Sequence, residues 1–203
     1  MGGASEDAGG PWLPLDPIDA GVAPLPDAQP NGPLALTSPD FDEGDRLPSQ
    51  FTCGGSNQSP ALAWSGVPPG TQSLALVLST PTNVLGSVVP FTRWAMWSIP
   101  ASLLALPATL SPGMAPGEAP GANQVSNESD SFGGLLSDNA GQRYRGPCSR
   151  GFPQTFEFTL YALGAAPTYP SSWSQDVTTD DIAAWLETQA HVLARASLSG
   201  VSP

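Results

Sequence analysis

Lysine is missing from this 203-residue chain, so its 6 basic residues are all arginine, set against 18 acidic ones. The resulting formal charge of −12 opposes a broad electrostatic grip on nucleic acid or an anionic membrane surface, while leaving room for a local positive spot. Histidine occurs once, at His191, and cysteine only at Cys53 and Cys148. Two cysteines cannot scaffold a disulfide-dense miniprotein, and these two lack metal-site spacing. They read as free buried thiols or as one long-range bridge. Closing a loop of roughly 95 residues would stabilise the fold by up to about 4.7 kcal/mol in the chain-entropy model, and would require an oxidising compartment. No stretch approaches the ~20 apolar residues of a transmembrane helix, and no charged-then-apolar leader opens the chain. A Gly-x-Ser-x-Gly elbow, a phosphate loop and a metal cluster are all missing too. The expectation is a protein that is not an enzyme and holds no cofactor or metal.

Proline and glycine, by contrast, are abundant, at 24 and 22 residues. Each proline removes a backbone donor and each helix-interior glycine costs roughly 1 kcal/mol, which excludes a helical bundle and favours many short strands. Residues 1–33 carry Glu6, Asp7, Asp16, Asp19 and Asp27 with no basic residue, and proline recurs through Ala23-Pro-Leu-Pro-Asp-Ala-Gln-Pro-Asn-Gly-Pro. Apolar burial there cannot offset ordering entropy, so the segment reads as a disordered acidic linker or stalk. A stalk implies something to attach to. With Met1 followed by Gly-Gly-Ala-Ser, one reading is that an export or lipoprotein leader was removed from a longer precursor.

From Leu34 to Pro203 the texture is that of one mostly β domain. Strand-sized runs begin at Leu34, Ala61, Ser73, Arg93 and Thr155, separated by turn signals such as Pro68-Pro-Gly. The run from Thr155 alternates, with Phe156, Phe158 and Leu160 on one face and Thr155, Glu157 and Thr159 on the other, as in a half-buried antiparallel strand. One helix is predicted after Thr178, which stands three residues before Asp181 as an imperfect capping box; Ile182, Trp185, Leu186 and Gln189 share a stripe. Ala194, Ala196 and Leu198 then suggest a short closing strand. Residues 101–143, rich in Pro, Gly, Ala, Ser and Asn, read as a long irregular excursion of the kind that is usually functional or disordered.

Four of the six arginines (Arg93, Arg143, Arg145, Arg150) fall in two short segments. Arginine offers a planar fork of donors suited to carboxylate or phosphate; the bland alternative is a compositional absence of lysine. The same two segments carry a resemblance. Ser59-Pro-Ala-Leu-Ala-Trp-Ser-Gly-Val-Pro-Pro-Gly through Arg93-Trp-Ala-Met-Trp-Ser-Ile-Pro, and Tyr144-Arg-Gly-Pro-Cys-Ser-Arg-Gly followed by Phe156-Glu-Phe-Thr-Leu-Tyr, resemble the phosphatidylethanolamine-binding protein family, in its bacterial Raf-kinase-inhibitor-like branch. The similarity runs in order over about residues 34–201. It implies a two-sheet antiparallel Greek-key β-sandwich with a C-terminal helix, and a shallow pocket for a small anion such as a lipid phosphate. It implies no common catalytic activity, since relatives act by binding partners. It also favours a Cys53–Cys148 bridge.

Carried over position by position, the pocket departs from the family. Where Asp-Pro-Asp-Ala-Pro is usual, this chain has Thr80-Pro81-Thr82-Asn83-Val84, without either carboxylate. The usual His-Trp is Arg93-Trp94. The usual Gly-x-His-Arg-Tyr is Phe152-Pro153-Gln154-Thr155-Phe156, with Gln154 in place of a histidine and Phe156 in place of a tyrosine. Pro81, Trp94, Tyr144, Gly146 and Pro147 survive. The expected ligand-binding set is therefore Thr80, Pro81, Thr82, Arg93, Trp94, Tyr144, Gly146, Pro147, Gln154 and Phe156. A guanidinium that stays charged and two lost acids make such a pocket more positive, suit a small anion, and weaken any preference for an ethanolamine group.

The alternative is a degenerate pocket, with Arg93 snorkelling to solvent and the same face, together with the 101–143 excursion, serving a protein partner. Other candidates are weaker. Asp40-Phe-Asp-Glu-Gly-Asp45 has the flavour of a calcium loop in the wrong order and reads as an acidic turn. Asp180 and Asp181 suit the first turn of a helix, where the macrodipole favours acids. His191 is assigned a structural role. An undetected hydrolase ranks third. The expected address is the cell envelope or the secreted space, with a processed lipoprotein of the periplasm as one form, and the cytoplasm as alternative.

Overall fold

The computed structural model describes residues 32–84, 87–113, 115–127, 140–148, 153–165, 177–188 and 191–202, without the side chains of 82–89 and 140. The expected linker up to residue 31, together with Arg150, Phe152 and Gln189, lies outside the described residues.

Among the described residues, nine strands and one α-helix follow in the order β1 Ala35–Thr37, β2 Leu62–Ser65, β3 Ser73–Val84, β4 Ser87–Pro100, β5 Ala105–Leu106, β6 Asn123–Asn127, β7 Ala140–Gly141, β8 Thr155–Leu163, α1 Thr179–Thr188 and β9 Val192–Val201. They form a 3-stranded sheet, β1-β2-β5, and a 6-stranded sheet, β7-β6-β4-β3-β8-β9, and every neighbouring pair is antiparallel. The expected two-sheet, mostly β architecture with one helix near the C-terminus is what the chain adopts.

Alternation along the central strands builds two cores, one on each face of the larger sheet. Leu74, Leu76 and Leu78 of β3, Trp94 and Met96 of β4, and Phe156, Phe158 and Leu160 of β8 meet Leu36, Leu62, Trp64 and Leu106 of the smaller sheet. Ala75, Val77, Ala95, Trp97 and Val125 face the other way, beneath Ile182, Trp185 and Leu186 of α1. The β8 alternation read from sequence holds, although Tyr161 and Leu163 on its second face are also drawn in against α1. The capping box is reciprocal: the Asp181 amide donates to Thr178 Oγ1 at 3.2 Å, and the Thr178 amide donates to Asp181 Oδ2 at 2.9 Å.

Two readings need correction. The stretch 101–143 is not uniformly irregular, since it contributes β5, β6 and β7. These strands are short, and β6 is the polar run Asn-Gln-Val-Ser-Asn, so neither length nor β-propensity betrays them. The closing strand is not short either: β9 runs 10 residues along β8. Its far end is covered by the acidic turn, where the Gly44 amide donates to Ser199 O at 2.9 Å, the Ser199 amide to Glu43 Oε2 at 2.7 Å, and the Val201 amide to Asp45 O at 2.9 Å. Glu43 thus covers a sheet edge, while Asp40 Oδ2 accepts from the Ala61 amide at 2.7 Å and Asp45 Oδ2 from the Asp42 amide at 3.3 Å within the turn. Among the described residues no group of three or more His, Cys, Asp and Glu is placed to hold a metal.

Two bulges reshape β4. Leu74 pairs with Ile99 but Leu76 with Met96, so one extra residue is taken up where Ser98 adopts φ 55°, which turns Ile99 into the inter-sheet core. The second bulge creates the site.

Candidate functional site

Leu78 pairs with Trp94 and Ser79 with Thr92, which leaves Arg93 as the bulged residue without an opposite number on β3. A bulge re-aims its side chain, and here the Arg93 guanidinium is held from two directions. Its Nε donates to Thr80 Oγ1 at 3.2 Å, and its Cζ lies 5.4 Å from the centroid of Phe91. Thr80 is 2 % exposed, so the hydroxyl is a buried anchor, while Arg93 and Phe91 are half-buried. A stacked, hydrogen-bonded guanidinium is pre-oriented and loses little further entropy on meeting an anion.

The next residue links the two signature segments. Trp94 is buried, its ring 5.3 Å from that of Tyr144 in an edge-on arrangement, and its Nε1 donates to Gln124 Oε1 at 3.0 Å. Gln124 is fully buried; its Nε2 donates to the carbonyls of Ser111 at 2.8 Å and Gly113 at 3.0 Å. One amide on β6 thus fixes both the indole and the 111–113 loop. The Tyr144 hydroxyl donates to Phe51 O at 3.0 Å. Burial pushes this phenol well above its ordinary range, with the charge of Arg93 pulling weakly the other way. The Trp94–Tyr144 ring contact joins the second segment to the residue that follows Arg93.

Residues 146–148 lie against the loop that follows the short 3-10 turn Ser49–Phe51. The Gly146 amide donates to Asn57 Oδ1 at 2.9 Å, the Cys53 amide donates to Pro147 O at 3.2 Å, and Cys53 and Cys148 form a disulfide with Cα atoms 5.2 Å apart. A Cβ at Gly146 would stand 2.0 Å from Phe51 O, so only glycine allows this approach.

Of the predicted set, Thr80, Arg93, Trp94, Tyr144, Gly146 and Pro147 are joined by these contacts. Pro81 is exposed and pairs with Pro90 next to Thr80; Thr82 pairs with Val89, and its side chain is outside the described residues. Phe156 and Gln154 arrive on the β8 side. Glu157 pairs with Ser79, so Phe156 follows at the level of Thr80, but its ring is buried against Phe41 and Phe158. The Gln154 backbone is paired with Ser202 through N to Oγ at 3.1 Å and O from N at 2.8 Å. Phe91, Gln124, Phe51 and Asn57 are site residues that the sequence did not mark. The one usable signal was proximity in sequence, Phe91 to Arg93 and both Phe51 and Asn57 to Cys53.

Comparison with known proteins identifies the family. Residues 37–202 match the family model described as phosphatidylethanolamine-binding protein, and the chain belongs to that family. It is 32% identical over 163 residues to a UPF0098 protein of Methanothermobacter thermautotrophicus, covering 79% of this chain and 93% of the relative. It is 32% identical over 173 residues to the Mycobacterium tuberculosis protein named "Putative lipoprotein LppC", covering 83% and 73%. Among solved structures, E. coli YbcL, titled a member of the mammalian PEBP family, superposes with a TM-score of 0.62 at 23% identity over 84% of this chain and 98% of its own. That likeness concerns the fold.

Proposed function

We propose that this protein is a non-catalytic binding module that recognises a small anion of the phosphate type through Arg93. The observation that carries the reading is the double restraint on that guanidinium, hydrogen-bonded to Thr80 and stacked on Phe91 beside the Trp94–Tyr144 pair. With threonines at 80 and 82 where the family usually has aspartates, no carboxylate at those positions opposes an anion or attracts an amine. A charge-assisted hydrogen bond of this kind contributes about 1.5–3 kcal/mol, which by itself corresponds to a Kd of roughly 10–100 mM. Envelope residence fits the reading: a relative carries a lipoprotein name, and the Cys53–Cys148 bond suits an oxidising compartment. No helix of the described residues is long and apolar enough to cross a membrane.

A second reading is a protein-interaction or inhibitor domain using the same face without a small ligand. It is favoured by the commitment of the Trp94 indole and the Tyr144 hydroxyl to partners within the protein, which removes two donors a ligand would otherwise meet. Titration with inorganic phosphate and with phosphoethanolamine, followed by the Trp94 indole resonance, separates the two. Saturable binding of both, with no advantage for the amine and loss in Arg93→Ala, supports the anion reading. A wild type that does not respond, or responds as Arg93→Ala does, leaves the interaction domain.

A further inference from the structure

We propose that the Cys53–Cys148 disulfide makes the site conditional on oxidation, by strapping residues 144–148 against residues 51–57 so that reduction loosens Tyr144, whose ring packs against Trp94, the neighbour of Arg93. The proposal concerns regulation and rests on the anion-binding reading above. Neither strapped segment belongs to a sheet: β7 ends at Gly141, β8 begins at Thr155, and residues 52–61 precede β2. Among the contacts that set their mutual position are the Tyr144 hydroxyl on Phe51 O, the Gly146 amide on Asn57, the Cys53 amide on Pro147 O, and the covalent bond. The hydrogen bonds converge on one short loop, so they hold together only while that loop and the 144–148 segment stay in register. The disulfide fixes the register at the solvent end, and the Trp94–Tyr144 ring contact reports it at the site.

Access is asymmetric in a way that suits control. Cys53 is exposed and Cys148 half-buried, so a soluble dithiol reductant can reach the bond without unfolding the domain. Its thiolate attacks the Cys53 sulfur, the S–S bond breaks, and Cys148 departs and takes up a proton. The reductant's second thiol then displaces Cys53, which also takes up a proton as the reductant closes to its own disulfide. Two electrons and two protons pass from reductant to protein. The Tyr144 hydroxyl and ring are buried, whereas the Gly146–Asn57 and Cys53–Pro147 bonds are made by loop groups nearer water, so on reduction the 146–148 end loosens first and the Tyr144 ring shifts against Trp94, the neighbour of Arg93.

The test uses the full chain in oxidised form, after reduction with a dithiol, and as the Cys53→Ser/Cys148→Ser variant, all well below the melting temperature. Amide exchange is followed at residues 144–148 and in β3 and β8, alongside titration with inorganic phosphate. The expected result is faster exchange confined to 144–148 and a phosphate affinity about tenfold weaker in both unbridged forms. Unchanged exchange at 144–148 on reduction overturns the strap whether or not phosphate binds. Equal affinity in all forms despite faster local exchange overturns the regulation. Loss of protection in β3 and β8 as well makes the bond a general staple and also overturns it. If the oxidised protein binds no phosphate while 144–148 still loosens on reduction, the anion reading itself has failed and leaves nothing to regulate.

Discussion

The Arg93 Nε donates to Thr80 Oγ1 across adjacent strands at 3.2 Å, and the contact exists because a one-residue bulge lifts Arg93 out of the β3–β4 ladder. Had the strands stayed in plain register, residue 93 would face away from Trp94. The bulge instead brings a permanent cation to the side of the sheet where the buried Thr80 hydroxyl and the Tyr144 ring lie. The neutral Thr80 hydroxyl orients the guanidinium without itself adding a negative charge.

Arg93→Ala is therefore expected to weaken phosphate binding by about 1.5–3 kcal/mol, or roughly 10- to 150-fold, with little change in stability. Arg93→Lys should recover only part of this, because an ammonium neither forks nor stacks. Thr80→Val removes the orienting acceptor and should cost a smaller factor. Isothermal titration of the three variants checks the ranking; a lysine variant as good as wild type would contradict the role given to the restraint.

The same cation sets the pH profile. A guanidinium stays protonated over the range in which a histidine at that position would titrate. Sulfate, which keeps its charge there, should bind with the same affinity from about pH 5 to pH 8. A tenfold loss across that interval, measured by the Trp94 resonance, would mean that a titrating group other than Arg93 carries the binding.

Much of this was legible in the residues. The period of two in Thr155–Leu163 and the Thr178/Asp181 box state their structures locally, and the two signature segments located Arg93 and Tyr144. The bulge was not legible, because Arg-Trp-Ala-Met-Trp reads as an unbroken strand and an extra residue is visible only against its partner. Gln124 was missed for a related reason. A glutamine in a polar run looks exposed, and its burial follows only once the Trp94 indole and two loop carbonyls come to meet it.

Gln124→Leu, close in volume, would leave that indole and those two carbonyls without their partner. Each buried polar group so orphaned costs about 1–3 kcal/mol, partly relieved as the loop shifts toward water. A net loss of about 2–4 kcal/mol in urea unfolding is expected, larger than for Arg93→Ala. A neutral effect would mean the loop has no need of the amide.

Gly146→Ala tests the close approach directly. The added Cβ would stand 2.0 Å from the Phe51 carbonyl, the same oxygen that accepts the Tyr144 hydroxyl, so backbone must move on one side or the other. Overpacking of this kind costs about 1–3 kcal/mol. Because the shift displaces Tyr144, phosphate affinity should fall together with stability, and thermal melts run beside the titration would reveal whether the two losses travel together.

Tyr144 gives the last prediction its sign. Burial raises the phenol's pKa in the folded protein above its unfolded value of about 10. Below pH 10 both states keep the proton, and the group adds no pH dependence. Above it the unfolded chain gives up the proton while the folded chain retains it, so the unfolded state binds fewer protons and stability falls as pH rises, by up to about 1.4 kcal/mol per pH unit for one group. Tyr161, whose pKa is raised chiefly by burial with help from Glu187, adds to the slope in the wild type. Tyr144→Phe should lose about 1–3 kcal/mol at neutral pH, since the Phe51 carbonyl loses its donor, yet show a shallower decline between about pH 10 and 11. Its stability curve should therefore approach that of the wild type at alkaline pH. Parallel curves from urea unfolding at each pH would mean that the Tyr144 hydroxyl ionises as easily in the folded protein as in the unfolded chain, and would place it in contact with water.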